Sequence, residues 1–181
     1  FAPPLLLGIL NDHFERVGAA LNDHGGEILK FMGASLLAIF PIASFDSPQH
    51  AADSALAAAR AARVKIAAGN RARVEKGLAE IGYGIALHMG EVVYGNIGAS
   101  DRLDITVIGP AVNPTSRIET LCKTLARKLL VSSSVAQTTS AKLESIGFHV
   151  LTAARGPQTI FIVTAFYPGL GTTESHHLRR F

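Results

Sequence analysis

The sequence predicts an α+β sandwich, a mixed sheet covered by helices. Three observations predict it. Apolar residues recur at helical spacing through the first 25 positions, short β-rich runs then come in pairs joined by Gly-containing turns, and the second half alternates helices with strands. With 181 residues, 48% of them hydrophobic, the chain can build one core of ordinary size.

Taken in order, Pro3 and Pro4 precede an amphipathic helix in which Leu6, Ile9, Leu10, Phe14, Val17 and Leu21 share a face until Gly25 and Gly26 break it. Two short strands follow, Glu27 to Met32 and Leu36 to Phe40, and the Gly33, Ala34, Ser35 link between them is hairpin chemistry. Ser47 is placed to cap the next helix, with Pro48 at its first position, and an alanine-rich run carries that helix to about Ala68. Small alanine side chains allow close packing on a sheet. Glu80 to His88 reads as a strand, paired with Glu91 to Ile97 through a Met89, Gly90 turn. A further strand, Leu103 to Ile108, leads through Gly109 and Pro110 into a helix from Ala111 to Leu125. A strand at Lys128 to Val131, a short helix near Val135 to Ser140, and strands at Phe148 to Thr152 and Thr159 to Thr164 complete the pattern. One domain over residues 1–167 is therefore expected, and the closing PGLGTTESHHLRRF lacks periodicity, which predicts a disordered tail over 168–181.

Composition excludes several function classes. The net charge is only +3, and the one basic cluster, Arg60, Arg63, Lys65, Arg71, Arg73 and Lys76, has no aromatic residues interleaved with it. It reads as a solvated helix face, not a nucleic-acid surface. The single cysteine, Cys122, rules out an internal disulfide and a cysteine-rich metal site, and its apolar helix face marks it as a core residue. Apolar runs are too short to span a bilayer, and no basic stretch precedes FAPPLLLGIL, so no membrane segment and a cytoplasmic setting are expected. His13, His24 and His50 are expected to be exposed. His88 has no second ligand at useful spacing and is expected to pack beside the sheet.

The chemistry concentrates between His88 and Glu119. Asn113 and Arg117 stand four residues apart on the helix that follows Gly109, so an amide and a guanidinium share one face at a strand-to-helix turn. That pairing suits a bound phosphate ester. Asn113 could equally satisfy backbone groups at the helix start, and Arg117 could pair with Glu119 or Asp104.

The runs GGEILKFMG, GEVVYGNIG, DRLDITVIG and VNPTSRIE, in that order from about Leu10 to Phe166, resemble the catalytic domain of class III adenylate and guanylate cyclases. The resemblance implies a ferredoxin-like βαβ-type sandwich and a head-to-tail homodimer with active sites at the subunit interface. Each site takes metal and base contacts from one chain and an Asn/Arg pair from the other. In the implied reaction the ribose 3′ oxygen of a nucleoside triphosphate attacks the α-phosphate and pyrophosphate leaves. Position by position, Arg117 matches the arginine that stabilises transition-state charge and Asn113 the asparagine that holds the ribose in line. Lys30 matches the lysine that contacts the adenine ring, Thr106 its partner on the neighbouring strand, and Arg155 is the nearest candidate for a basic residue at the terminal phosphates. A Lys/Thr combination favours ATP over GTP.

Two departures matter. The family uses Mg²⁺ or Mn²⁺ held by two aspartates, yet the hairpin position that carries one of them is Ala34 here, and a methyl group cannot bind a hard cation. The other belongs to an F-x-D-I-x-x-F strand that the family places before the first helix, and this chain starts at the helix. Pro110, where relatives carry Asp or Asn, is conformationally easy at a helix start. Three readings stay open: an adenylate cyclase-type domain with little or no activity as given and at most weak ATP binding; a catalytically dead homology module used for dimerisation or nucleotide sensing; and, far behind for want of stacking aromatics on the candidate strands, a ferredoxin-like domain that binds nucleic acid or an unrelated partner.

Overall fold

The computed structural model describes residues 3–99, 102–149, 151 and 158–162. Arg155 and the tail expected over 168–181 lie outside them. Helix α1 (Pro3–Asn22) ends where Gly25 takes a positive φ of 78°. It leads into the antiparallel hairpin of β1 (Glu27–Met32) and β2 (Ser35–Ile39), whose turn also needs a left-handed glycine, Gly33 at φ 60°. The ladder slips between Ile28 and Lys30, so one extra residue, the buried Leu29, is accommodated on β1.

Helix α2 (Pro48–Glu75) starts as expected, with Ser47 Oγ accepting from His50 N at 3.1 Å. It runs well past Ala68. Gly69 does not stop it, because the missing side chain makes room for Arg16 of α1, which an added Cβ would meet at 3.1 Å. The stop comes at Lys76 and Gly77, the latter left-handed at φ 70°. Its basic residues are not all idle on a solvated face, contrary to expectation. Lys65 lies 3.4 Å from Asp23, Arg73 Nε donates to Ala79 O at 2.8 Å, and Arg60 Nε is buried with no hydrogen-bond partner among the described residues.

The strand expected over 80–88 shrinks to β3 (Ile85–Leu87). Asn70 accounts for part of this: its side chain donates to Ile81 O at 3.0 Å and accepts from Ile81 N at 2.9 Å, so the approach to β3 is tied to α2 instead of a strand. Nor does β3 pair through a Met89, Gly90 turn with the next strand. Ser134 takes both backbone groups of Met89, which ends the ladder there. β4 (Val93–Ala99) pairs instead with β5 (Arg102–Ile108) in an unbroken antiparallel register from Val93↔Ile108 to Ala99↔Arg102.

After β5 come α3 (Val112–Thr124), β6 (Leu129–Ser132), the short α4 (Ser133–Thr138), β7 (Glu144–His149) and β8 (Gln158–Ile162). β7 starts earlier than the expected Phe148, with an irregularity around the left-handed Gly147. The larger sheet runs β3-β6-β8-β7, with β3 parallel to β6 and the other pairs antiparallel. β6 is buried throughout, and its pleat divides the core in two. Leu129 and Val131 pack with Leu56, Ala59 and Val135 under α2 and α4, while Leu130 packs with Ile118, Cys122 and Leu151 under α3. Helices thus cover both faces of a mixed sheet, the layering the sequence predicts. Asp53 of α2 fastens α4 by accepting from Thr139 Oγ1 and from Ser140 N. Burial works against its charge, but these bonds outweigh it and hold the carboxyl below the usual carboxylate value.

Leu130 is fully enclosed. Truncating it in Leu130→Ala is expected to cost about 2–5 kcal/mol in chemical denaturation, as for other large-to-small changes in a core.

Candidate functional site

The site grows from the junction of β5 and α3. Gly109 holds φ at 154°, and a Cβ on it would sit 2.6 Å from Glu91 O and 2.9 Å from Val92 Cα. Only glycine allows this crossing of two backbones. Ala111, the residue that opens α3, is buried and donates its N–H to Glu91 O at 3.4 Å. No side chain caps this helix, and Pro110 precedes its cap position instead of lying in the first turn. Pro114 lies within that turn, where no backbone donor is needed.

Ile118 and Cys122 face the sheet, so Asn113 and Arg117 fall on the adjoining stripe of α3. Asn113 is exposed at the helix start. Arg117 is half-buried, and its Nη1 is shut off from solvent with no hydrogen-bond partner among the described residues. A guanidinium nitrogen in that condition has lost water without gaining an acceptor, which costs free energy until an anion or carbonyl supplies one.

Lys30 and Thr106 occupy a second location. Lys30 follows the β1 bulge and Thr106 lies mid-way along β5 opposite Gly95, both half-buried. β1 and β5 approach each other, whereas α3 packs on β3 and β6. Asn113 and Arg117 therefore share α3, whereas Lys30 and Thr106 lie on β1 and β5, two strands that approach each other. Arg155 lies outside the described residues. Ala34 is exposed beside the left-handed Gly33 at the tip of the β1–β2 hairpin, and no group of three or more His, Cys, Asp or Glu side chains among the described residues could hold a metal ion. The residues at this tip do not fit a divalent cation.

The histidines differ in part from expectation. His50 is exposed, but His13 is half-buried against Phe14, and burial pushes its pKa down. His24 lies partly buried with Nδ1 2.8 Å from Ala20 O. His88 packs beside the sheet as expected, with Nδ1 2.9 Å from Ser132 Oγ. Sequence reasoning missed Ser132 and Ser134, although a serine run at the end of the apolar LLV stretch was a visible signal. Cys122 is a core residue, its thiol pushed up to about 11, first by burial and then by nearby Glu119.

The model of the adenylate and guanylate cyclase catalytic domain matches residues 2–164. Among characterised relatives, an adenylate cyclase of Anabaena cylindrica is 36% identical over 141 residues, 76% of this chain and 27% of that protein. Adenylate cyclase 1 of Rhizobium meliloti is 31% identical over 136 residues, 74% of this chain and 20% of that protein. The chain thus spans about a quarter of the length of these relatives. Among solved structures, the guanylyl cyclase Cya2 superposes with a TM-score of 0.75 at 27% identity, covering 89% of this chain and 81% of that one. The adenylyl cyclase CyaB of P. aeruginosa shares the fold with a TM-score of 0.78 at 23% identity, covering 94% and 88%.

Gly109→Ala is expected to destabilise the chain by about 1–3 kcal/mol in thermal or chemical unfolding, since neither φ nor the Glu91 carbonyl leaves space for a methyl group. Cys122 should stay unreactive toward a thiol reagent at neutral pH in the native chain and react once denaturant is added, a contrast readable by absorbance.

Proposed function

Because the chain belongs to the adenylate and guanylate cyclase catalytic-domain family, we propose that it is an adenylate cyclase-type module that keeps the nucleotide-facing half of its site and carries Ala34 where the β1–β2 hairpin would supply a metal ligand. The buried, unpartnered Nη1 of Arg117 carries this reading. A triphosphate oxygen would satisfy that donor, and Asn113, one turn earlier on the same stripe, would hold the ribose. In the full reaction the 3′ oxygen bonds to the α-phosphorus, the bond to the bridging oxygen breaks, and pyrophosphate departs. Arg117 would meet charge as it grows on the α-phosphate oxygens. Lys30 and Thr106 would take the purine, a pair that suits adenine better than guanine, and Arg155 is proposed at the terminal phosphates.

The placement of these residues on α3 and on β1 and β5 also supports a site completed by a second copy, Lys30 and Thr106 from one chain meeting Asn113 and Arg117 from the other. Exposed Phe31, Met32, Val93, Tyr94 and Ile108 on the two hairpins are apolar surface of the kind a homodimer covers. No described helix is long and apolar enough to cross a membrane, and a cytoplasmic setting is proposed. The family's Mg²⁺ or Mn²⁺ would supply charge neutralisation to the phosphates, and Ala34 cannot hold it. Loss of such stabilisation lowers rate by orders of magnitude. Little or no turnover is therefore proposed for the chain as given, and a dimerising or nucleotide-sensing role is the alternative.

Titration with ATP and GTP by calorimetry, beside a cyclic AMP assay with Mg²⁺ and Mn²⁺, tests this reading. Weak ATP binding in preference to GTP is expected, reduced about tenfold or more in Arg117→Ala, as befits a lost hydrogen bond to a charged group. Arg117→Ala binding ATP as well as the parent chain would overturn the assigned site, and robust cyclic AMP formation would overturn the assigned inactivity. Sedimentation should show dimers at high concentration; a strict monomer would remove the shared site.

A further inference from the structure

Between β3 and the start of α3 lies a polar knot that the nucleotide reading leaves unused. His88 Nδ1 is 2.9 Å from Ser132 Oγ, which is 2.8 Å from Ser134 Oγ. Ser134 Oγ donates to Met89 O at 2.9 Å and accepts from Met89 N at 3.2 Å. Ser132 is fully buried. Proton counting then assigns the donors. The one hydroxyl proton of Ser134 goes to Met89 O, so the Ser132–Ser134 contact must use the proton of Ser132. The remaining contacts of His88 Nδ1, to Ser132 Oγ at 2.9 Å and to Ser134 Oγ at 3.4 Å, meet hydroxyls whose protons are already committed, and so need a proton on Nδ1. Neutral His88 is therefore the Nδ1–H form, and its basic atom is Nε2.

Nε2 lies close to Gly90, which in turn lies close to Ala111 at the start of α3. A Cβ placed on Gly90 would lie 3.4 Å from His88 Nε2 and 3.0 Å from the Ala111 Cβ, so the bare Gly90 lies beside both the ring and the cap residue of that helix. The next residue, Glu91, accepts from Ala111 N and is crossed by Gly109. A continuous set of contacts thus joins His88 to the first turn of α3, which bears Asn113 and, one turn on, Arg117.

We propose that His88 is a positioning residue for the nucleotide site: its neutral Nδ1–H form locks the Met89–Gly90 turn and thereby sets α3, and a proton on Nε2 unseats that setting. This rests on the reading of Asn113 and Arg117 given above, which it deepens. Physically, a positive charge at Nε2 would stand against the positive end of the α3 dipole and an apolar methyl group. The groups facing the ring are the Ser132 hydroxyl from β6, the Ser134 hydroxyl from α4, Gly90 from its own turn and Ala111 from α3. Glu91 is exposed, and Asp53 of α2 is committed to Thr139 and Ser140 at the far end of α4. Among the described residues no charged side chain contributes to the ring's titration, and burial pushes it below 6.5. A histidine held neutral in the fold leaves stability intact above 6.5, and stability falls as pH drops from there toward the folded-state pKa.

The test is NMR of the isotope-labelled chain, titrated from about pH 7.5 to about pH 5.5 across the ordinary histidine range, with His88→Asn and His88→Ala beside it. Asn retains an N–H near the Nδ1 position and cannot titrate. The expected result is an Nδ1-protonated tautomer for His88, a midpoint below 6.5, and amide shifts at Gly90, Ala111, Val112 and Asn113 that share this midpoint. Those shifts should vanish in His88→Asn, whereas His88→Ala should disturb the same amides at every pH. An Nε2–H tautomer, a midpoint at or above 6.5, or α3 amides indifferent to His88 overturns the proposal, and the parent chain alone suffices if a variant fails to fold. In parallel, ATP affinity should fall several-fold more on acidification in the parent than in His88→Asn, and equal falls would also overturn it. Absence of ATP binding at every pH would defeat the nucleotide reading and the site role assigned to His88 with it, while the amide titration would separately decide the coupling to α3.

Discussion

The seating of α3 on the sheet governs the rest of the molecule. Ile118 and Cys122 meet Leu130 in a cluster with no solvent access, and Gly84 lets the helix come so close that a Cβ there would lie 2.7 Å from the Cβ of Cys122. A helix pinned along one stripe has no freedom to rotate. Arg117 is thereby held half-buried beside that stripe, with one guanidinium nitrogen cut off from water. The chemistry assigned to it is a by-product of packing: the same apolar contacts that stabilise the fold also withhold solvent from the cation.

β6 extends that constraint to the whole chain. Four residues, all buried, send Leu129 and Val131 to one core and Leu130 to the other. The two hairpins, β1–β2 and β4–β5, are built differently. Each satisfies its own ladder, and each turns large apolar side chains outward. The core that carries Asn113 and Arg117 and the two hairpins that carry Lys30 and Thr106 are the partition that the proposed two-chain site requires. Apolar hairpin faces then supply association, and the polar residues between them supply selectivity.

Local chemistry made much of this legible in the sequence. Ser47 with Pro48, the Gly33 turn, and the Gly25, Gly26 break are set by short-range geometry, and the corresponding elements are present. What the sequence hid was tertiary. Nothing in Glu80 to His88 announces that Asn70 will take the backbone of Ile81, or that Ser134 will take that of Met89, and these two side chains, each giving and taking a hydrogen bond, help explain why nine residues of alternating small and large side chains yield only Ile85–Leu87. Helix α2 extends beyond the alanine-rich run through Gly69, where Arg16 of α1 lies over the position without a side chain. At the site, the spacing of Asn113 and Arg117 was readable as a shared face, but the covered Nη1 was not, since it depends on how the helix is rolled.

The Asn70 contact carries one more implication. An amide that offers a donor and an acceptor to one residue imitates a neighbouring strand, so the end of α2 behaves as a surrogate sheet edge for the segment leading into β3. Helix and strand are coupled there like a rod and its linkage. Because Leu56 and Ala59 hold the same helix on the sheet, those two hydrogen bonds fix the approach to β3 to an element already anchored in the core.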